Sequence, residues 1–388
     1  MRIYINQRKD TPMQYRPFGN TGVNLSSLGI GGMRFPYVPD TETLDFEKGV
    51  EIIRRAFELG VNYIDTAPYY MHDQSQKLFG MALKGWRDRV YVSTKCGHNI
   101  AKPDTIRLGV EQSCETMGID HIDFYHMWGM DWKAYEEKMG PESIAMLEKL
   151  KAEGLIRHIS FSFHGPPDDM KKLCDTGIFE SVLCQYNIVD RGNEGAIKYC
   201  RAKGMGTAIM GPLAGGRLGP TAQKAAQMID EKGPSFAQRG LRFVLSNPDV
   251  CCAVSGMGSI ADVEENAATA SDVQTISEAE REEIYNTFYH HHALAGLYCT
   301  GCDYCRPCPA GVNIKGVFDA YNLFRVHREE QNARDACAKI ADNGTICTDC
   351  AVCEGKCPQK LEVRRFLKEA HEFFVPQPKQ TTKEGETV

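Results

Sequence analysis

Eight short apolar runs, each followed by a charge-bearing segment of helical length, constrain this chain more than any other feature. The runs are LGIGGM (28–33), NYIDTA (62–67), VYVSTK (90–95), IDFYHMW (122–128), IRHISFSF (156–163), SVLCQYN (181–187), GTAIMG (206–211) and VCCAVSGM (250–257). Runs this continuous read as parallel strands buried on both faces. In DFEKGVEIIRRAFELG (45–60), Val50, Ile53, Ala56 and Phe57 recur at helical spacing, and Gly60 is a stop signal. AEGLIRHIS and RAKGMGTAIM repeat the order helix, glycine, strand. Eight such units predict an α/β fold, a (β/α)8 or TIM barrel. An open doubly wound sheet would need a glycine-rich phosphate loop after its first strand. Here the glycines of 28–33 sit within the run, and no G-x-G-x-x-G opens a helix.

Before the barrel, MQYRPFGNTGVNLSSLG reads as a hairpin turning at Asn20–Gly22, placed to plug the N-terminal end of the barrel. After it, residues 276–296 read as a helix leading into a cysteine-rich segment. The domain boundaries expected are 1–289 for hairpin and barrel, 290–375 for a small α-helical domain, and 376–388 for a disordered polar tail. His290, His291 and His292 read as a polar helix face, not a metal site. A formal net charge of −6 argues against a nucleic-acid partner. No apolar run is long enough to span a bilayer, and the N-terminus has no secretory pattern. A cytoplasmic protein is therefore expected.

Sixteen cysteines are many for 388 residues, and their placement matters more than their number. Cys96, Cys114, Cys174, Cys184, Cys200, Cys251, Cys252 and Cys337 are scattered among apolar residues and read as buried free thiols. The other eight form two runs, Cys299-x-x-Cys302-x-x-Cys305-x-x-Cys308-Pro and Cys347-x-x-Cys350-x-x-Cys353-x-x-x-Cys357-Pro. A C-x-x-C-x-x-C turn offers three thiolates to one iron–sulfur cube, and the cysteine before proline ligates the other cube in two-cluster ferredoxins. On that rule two 4Fe–4S clusters are expected. One takes Cys299, Cys302, Cys305 and Cys357; the other takes Cys347, Cys350, Cys353 and Cys308. The first run is one residue short between its third and fourth cysteine, which bears on that exchange. Structural zinc is the competing occupant, but it favours two separated C-x-x-C pairs. The segment resembles the helical, two-cluster ferredoxin-type domain.

Four polar residues fall at or just past the ends of successive expected strands: Asp65, Tyr70, Lys95 and His126. In a (β/α)8 barrel those ends face one pocket. The set suits carbonyl reduction. Hydride attack leaves an alkoxide that needs a proton, and a lysine ammonium beside a tyrosine favours the phenolate. Tyr70 is the general acid in this reading. Lys95 and Asp65 support it, and His126 clamps the substrate carbonyl.

The motifs RPFGNTGVNLSSLGIGGMRFP, DTAPYY, STK and FYHMW make the barrel resemble the aldo–keto reductase superfamily from about Met13 to Asp272. The resemblance implies the same Asp/Tyr/Lys/His tetrad, no metal in the barrel and an extended NAD(H) or NADP(H). It places Ser162 and Gln185 at the nicotinamide carboxamide, with Met210 where an aromatic commonly stacks on the ring. Gly211, Leu213 and Gly215 lie along the pyrophosphate, and Glu265 and Asn266 at the adenine. Gly256 and Asp262 replace the basic residues that often hold a 2′-phosphate, which favours NAD(H). The usual G-x-S-E after the tyrosine reads Asp73-Gln74-Ser75-Gln76. An aldo–keto reductase with an appended 4Fe–4S domain exists as a combined form, and this chain resembles it over nearly its full length.

The function expected is therefore interconversion of a small-molecule carbonyl and alcohol, with the clusters transferring electrons or docking a redox partner protein. Hydride moves two electrons and each cluster passes one. A flavin normally bridges that gap; no flavin signature is present, although barrels can bind FMN without an obvious motif, so a flavin stays open as a cofactor. The alternative is an iron–sulfur redox-sensing or scaffold protein built on a reductase-type barrel.

Overall fold

The first helix shows how local sequence sets the elements. Asp45 caps it by accepting from the Lys48 backbone N–H at 3.1 Å. Helix α1 then runs Phe46–Glu58 and buries Gly49, Ile52, Ile53, Ala56 and Phe57, with Val50 half-buried at the margin. Gly60 follows in a left-handed conformation (φ 91°) that ends the helix and turns the chain into the next strand. Gly154 and Gly204 do the same before two later strands.

The computed structural model describes residues 11–97, 102–188, 190–216, 234–272, 277, 279, 281–282, 285–286, 299, 304–325, 329–340, 347–357 and 361–375. A two-stranded antiparallel hairpin comes first, β1 (Tyr15–Pro17) and β2 (Asn24–Ser26). Eight parallel strands follow: β3 (Leu28–Gly31), β4 (Tyr63–Asp65), β5 (Tyr91–Lys95), β6 (Ile122–Met127), β7 (Ile156–Phe163), β8 (Ser181–Gln185), β9 (Gly206–Met210) and β10 (Cys252–Ser255). They close in sequence order, with β10 hydrogen-bonded to both β9 and β3. Strand β7 spans its whole run and β5 starts one residue inside its own; the other strands stop short of the ends of their runs, where the chain enters the loop that leaves the barrel. The expected (β/α)8 barrel is the observed fold.

The hairpin seals the N-terminal end. Phe18 is fully buried among Tyr63, Phe124, Leu183 and Ala208, with ring centroids 5.0 Å from Phe124. A Cβ on Gly206 would stand 2.8 Å from the Phe18 ring, so only glycine leaves that ring its seat. The Arg16 guanidinium donates to the Val250 and Leu245 carbonyls at 2.7 and 2.8 Å.

The chain divides into two compact units, Met1–Phe288 and Tyr289–Val388. The described residues of the second unit form the helices Ile314–Arg325, Glu330–Ala338, Val352–Lys356 and Val363–Phe374. Val312, Ile314, Val317, Phe318, Phe366 and Leu367 make up much of its core. Most of the linking segment 276–296, His290–His292 and the tail 376–388 lie outside the described residues. Among the described residues no helix is long and apolar enough to cross a membrane.

Candidate active site

Asp65 closes β4, Lys95 closes β5 and His126 sits one residue before the end of β6. The strand register sets Lys95 beside His126 and Asp65 beside Ser93. Tyr70 follows on the turn after β4, its backbone N–H bonded to the Ala67 carbonyl at 3.2 Å. All four expected tetrad residues thus meet at one end of the barrel, the end formed by the strand C-termini.

The Lys95 ammonium is 2% exposed and its donors are all engaged. It bonds both Asp65 oxygens, at 2.8 and 2.7 Å, and the Thr66 carbonyl at 2.8 Å. Ser93 Oγ donates to Asp65 Oδ1 at 2.9 Å. Lys95 Nζ lies 4.8 Å from the centroid of the Tyr70 ring. A fixed positive charge therefore stands beside the phenol, itself held by a buried carboxylate.

His126 is fully buried, and neither ring nitrogen has a hydrogen-bond partner among the described residues. Burial pushes its pKa down to about 4; Lys95 also lowers it, while Asp65 and the Phe161 backbone oppose the shift. The imidazole is therefore neutral at ordinary pH, with one N–H to donate. The unfolded histidine keeps its ordinary value near 6.5 and takes up a proton first as the pH falls. The stability this neutral group contributes is complete above that value and is lost as the pH drops toward about 4. Urea midpoints of the wild type should fall more steeply through that window than those of His126→Gln; equal slopes would refute the assignment.

Two further aromatics pack beside Tyr70 at this end of the barrel. Trp128 stands 5.8 Å from Tyr69 and 5.9 Å, edge-on, from Tyr70. Tyr69 is half exposed and Tyr70 is buried. Met71, His72 and Asp73 follow in three successive left-handed conformations (φ 54°, 55° and 64°). Non-glycine residues adopt these at a cost, and such strain concentrates at functional sites. The departure that begins at Asp73 touched this turn in the sequence, but nothing there marked its left-handed backbone. The altered Asp73–Gln76 segment also has a physical account: Gln76 is buried, and its neutral amide donates to Thr94 Oγ1 at 2.9 Å and Ser113 Oγ at 3.0 Å.

The residues expected along a coenzyme occupy the adjacent rim. Ser162 lies near the end of β7, Gln185 ends β8 and Met210 ends β9. Ser162 Oγ accepts from the Gly129 N–H at 2.9 Å, and Gln185 Nε2 donates to Asp190 Oδ2 at 3.1 Å. Gly211, Ala214 and Gly215 all have positive φ, so the chain after β9 curls tightly over the strand end, with Leu213 buried within the curl. Asn266 is buried and donates to Ser255 Oγ at 3.3 Å, whereas its neighbour Glu265 is half-buried. Asp262 Oδ2 accepts from the Gly258 N–H at 3.0 Å, which fixes a carboxylate beside the loop after β10.

In the second unit, Cys353 belongs to the apolar core, and Cys299, Cys305, Cys308 and Cys357 pack against it. Cys347 and Cys350 are exposed, and none of these seven thiols is in a disulfide. Cys302 lies outside the described residues. Asp349 and Ala351, on either side of Cys350, are both left-handed, which curls the second run sharply. The donor set suits a thiophilic metal. Among the described residues, however, no three Cys, His, Asp or Glu side chains stand close enough to hold an ion. The scattered cysteines Cys96, Cys114, Cys174, Cys184, Cys200, Cys251, Cys252 and Cys337 are buried free thiols, as expected.

Comparison with known proteins points the same way for the barrel. The model of the aldo/keto reductase family matches residues 27–285. L-galactose dehydrogenase of Arabidopsis thaliana is 30% identical over 295 residues, 69% of this chain and 91% of that one. NADH-specific methylglyoxal reductase of Escherichia coli is 31% identical over 229 residues, 53% of this chain and 69% of its own. The holo form of an aldo-keto reductase from Bacillus halodurans is similar at a TM-score of 0.61 and 25% identity, covering 71% of this chain and 96% of that one.

Proposed function

The chain belongs to the aldo/keto reductase family and is an NAD(P)-dependent oxidoreductase, and from that premise we propose that it interconverts an aldehyde or ketone and the matching alcohol with Tyr70 as proton donor. One observation carries this reading. A buried Lys95–Asp65 pair stands beside Tyr70, and an unpartnered neutral His126 lies in the same strand-end cluster.

When bound, the nicotinamide supplies the hydride. His126 donates its N–H to the substrate carbonyl oxygen and orients it. Tyr70 gives its proton to the same oxygen as negative charge develops there. Lys95 stabilises the resulting phenolate electrostatically, since its own protons are held by Asp65 and Thr66. Asp65 keeps the ammonium in place, and Tyr69 and Trp128 form an aromatic wall that suits an apolar or ring-bearing substrate face. Ser162 and Gln185 are proposed to hold the nicotinamide amide, with Met210 against its ring. Gly211, Leu213 and Gly215 flank the pyrophosphate, and Glu265 and Asn266 the adenine. The fixed Asp262 carboxylate and the bare Gly256 favour NADH over NADPH. The test is a screen with both coenzymes that includes methylglyoxal and L-galactose, the compounds for which the two relatives are named. Turnover with a carbonyl or alcohol supports the reading, and coenzyme binding without any turnover would contradict it.

The second unit is proposed to be a ferredoxin-type domain holding two 4Fe–4S clusters on the eight cysteines, which would pass electrons to or from a redox partner. Cysteines of both runs packed against one apolar core support this, as does the sharply curled second run. Anaerobic purification is expected to yield about eight iron atoms and eight sulfides per chain, with Cys353→Ser losing roughly half. Zinc without sulfide would refute the assignment.

A further inference from the structure

Tyr70 stands directly before the left-handed residues Met71, His72 and Asp73. Gln74 closes that turn and leads into helix α2 (Ser75–Leu83). Within the turn, the Gln74 N–H bonds the Met71 carbonyl at 3.3 Å and the Ser75 N–H bonds the Tyr70 carbonyl at 3.2 Å. Left-handed backbone costs free energy in residues with a Cβ, and it persists only where the surroundings over-determine it. Two long backbone bonds are a weak restraint for three such residues.

A stronger restraint comes from the loop after β3. Residues 36–45 form a small hairpin there. Tyr37 bridges Leu44 in antiparallel register, the Val38 N–H donates to the Thr43 carbonyl at 2.9 Å, and the Asp45 N–H to the Pro36 carbonyl at 2.9 Å. The hairpin is anchored, since Leu44 is buried in the barrel core and Asp45 caps α1. The Gln74 amide lies along its second arm. Its Oε1 accepts from the Leu44 N–H at 2.9 Å, and its Nε2 donates to the Glu42 carbonyl at 2.8 Å. An amide carries an acceptor and a donor on one planar group, which neither a carboxylate nor a thioether does. Met71 and His72 meet the same hairpin: the Tyr37 hydroxyl lies 3.7 Å from Met71 Sδ, and the Tyr37 and His72 rings meet edge-on at 6.0 Å.

We propose that Gln74 is a positioning residue for the proton donor: its amide ties the strained turn to the 36–45 hairpin and so sets the Tyr70 phenol against Lys95. The proposal rests on the reading above in which Tyr70 gives the proton. The side-chain bonds of Gln74 go to the hairpin, so its action on Tyr70 passes through the backbone of 71–73. Lys95 cannot follow the phenol, because Asp65 and the Thr66 carbonyl hold its ammonium. The 4.8 Å from Lys95 Nζ to the Tyr70 ring is therefore set by where the turn holds the ring. Without the amide, the turn is free to relax toward right-handed backbone and to carry Tyr70 with it. A displacement of about 1 Å in a reacting group costs about 100-fold in rate. Helix α2 keeps its place regardless, since Ser75 Oγ bonds the Gly32 carbonyl and Thr66 Oγ1, each at 2.8 Å.

The test is a kinetic double-mutant cycle on the full-length protein, run with NADH and a carbonyl substrate from the screen above, methylglyoxal first. Gln74→Met keeps the length of the side chain and loses both bonds. It is expected to lower kcat about 10- to 100-fold, with KM and the dissociation constant of NADH little changed. In a Tyr70→Phe background the same substitution is expected to change the residual rate by less than about two-fold, because the group being positioned is gone. Gln74→Glu keeps the bond from Leu44 and sets a carboxylate against the Glu42 carbonyl. It is expected to show the same pattern, and it serves if Gln74→Met does not fold. Unchanged kcat in both Gln74 variants would overturn the proposal. So would an equal fold loss in the two backgrounds, which is what a general loosening of the barrel mouth produces. Full activity in Tyr70→Phe itself would instead overturn the proton-donor reading on which the proposal rests.

Discussion

Tyr70→Phe is expected to lower kcat for carbonyl reduction by about 10²- to 10⁴-fold while changing KM little. The variant loses one oxygen and keeps the ring. The packing of that ring against Trp128, at 5.9 Å, and its approach to Lys95, at 4.8 Å, survive the change. Coenzyme binding should therefore be retained and the chemical step should not. The measurement is steady-state kinetics together with a coenzyme titration of the same preparation. Full activity in Tyr70→Phe would remove the proton-donor role. Tyr69 would not inherit it, because its ring is half exposed, whereas the contact of Lys95 is with the buried Tyr70 ring.

Lys95→Met is expected to have the other large effect, and to act on stability as well as rate. Asp65 is 4% exposed, and besides Lys95 it accepts one further side-chain hydrogen bond, from Ser93. Removing the ammonium leaves a buried carboxylate without its counter-charge, which costs about 3–5 kcal/mol. The Thr66 carbonyl loses its side-chain donor as well. Unfolding in urea should show the full loss in Lys95→Met. The double variant Asp65→Asn/Lys95→Met should regain most of the stability and none of the activity, since the pair is replaced by neutral groups while the phenol still lacks its cation. Additive losses in the two single variants would show that the residues do not act as a pair.

The barrel and the tetrad were legible in the sequence for one physical reason. Parallel strands buried on both faces must be apolar throughout, so a charged or aromatic-hydroxyl residue at the end of such a run stands out. Asp65, Lys95 and His126 each break an apolar run where the strand ends, and Tyr70 follows Asp65 at short range. Pocket features that depend on side chains meeting across the barrel mouth left no such mark. Trp128 was visible as part of FYHMW, but its packing against both Tyr69 and Tyr70 depends on how β4 and β6 present their loops. Arg34 was visible inside GGMRFP and carried no signal, because its stem meets Gly256 only where the loop after β3 passes the end of β10. Read along the chain, Gly256 is a missing cation; in space, the stem of Arg34 fills its place.

The cysteine runs show the opposite balance. Their spacing is informative along the chain, while no three donors come together among the described residues. Coordination is set by the ion as much as by the loop, since thiolates converge when metal neutralises their charge. What the fold contributes is the apolar core that gathers Cys299, Cys305, Cys308, Cys353 and Cys357 from both runs.

The most direct test of the central claim follows the hydride itself. A single turnover with NADH deuterated at the transferable position of the nicotinamide, run with a carbonyl substrate from the screen, is read by mass spectrometry of the alcohol. Direct transfer in the barrel predicts deuterium on the carbon that bore the carbonyl oxygen, in the wild type and, far more slowly, in Tyr70→Phe. Alcohol formed without the label would contradict the account, because electrons would then reach the substrate by a route other than hydride transfer beside Tyr70.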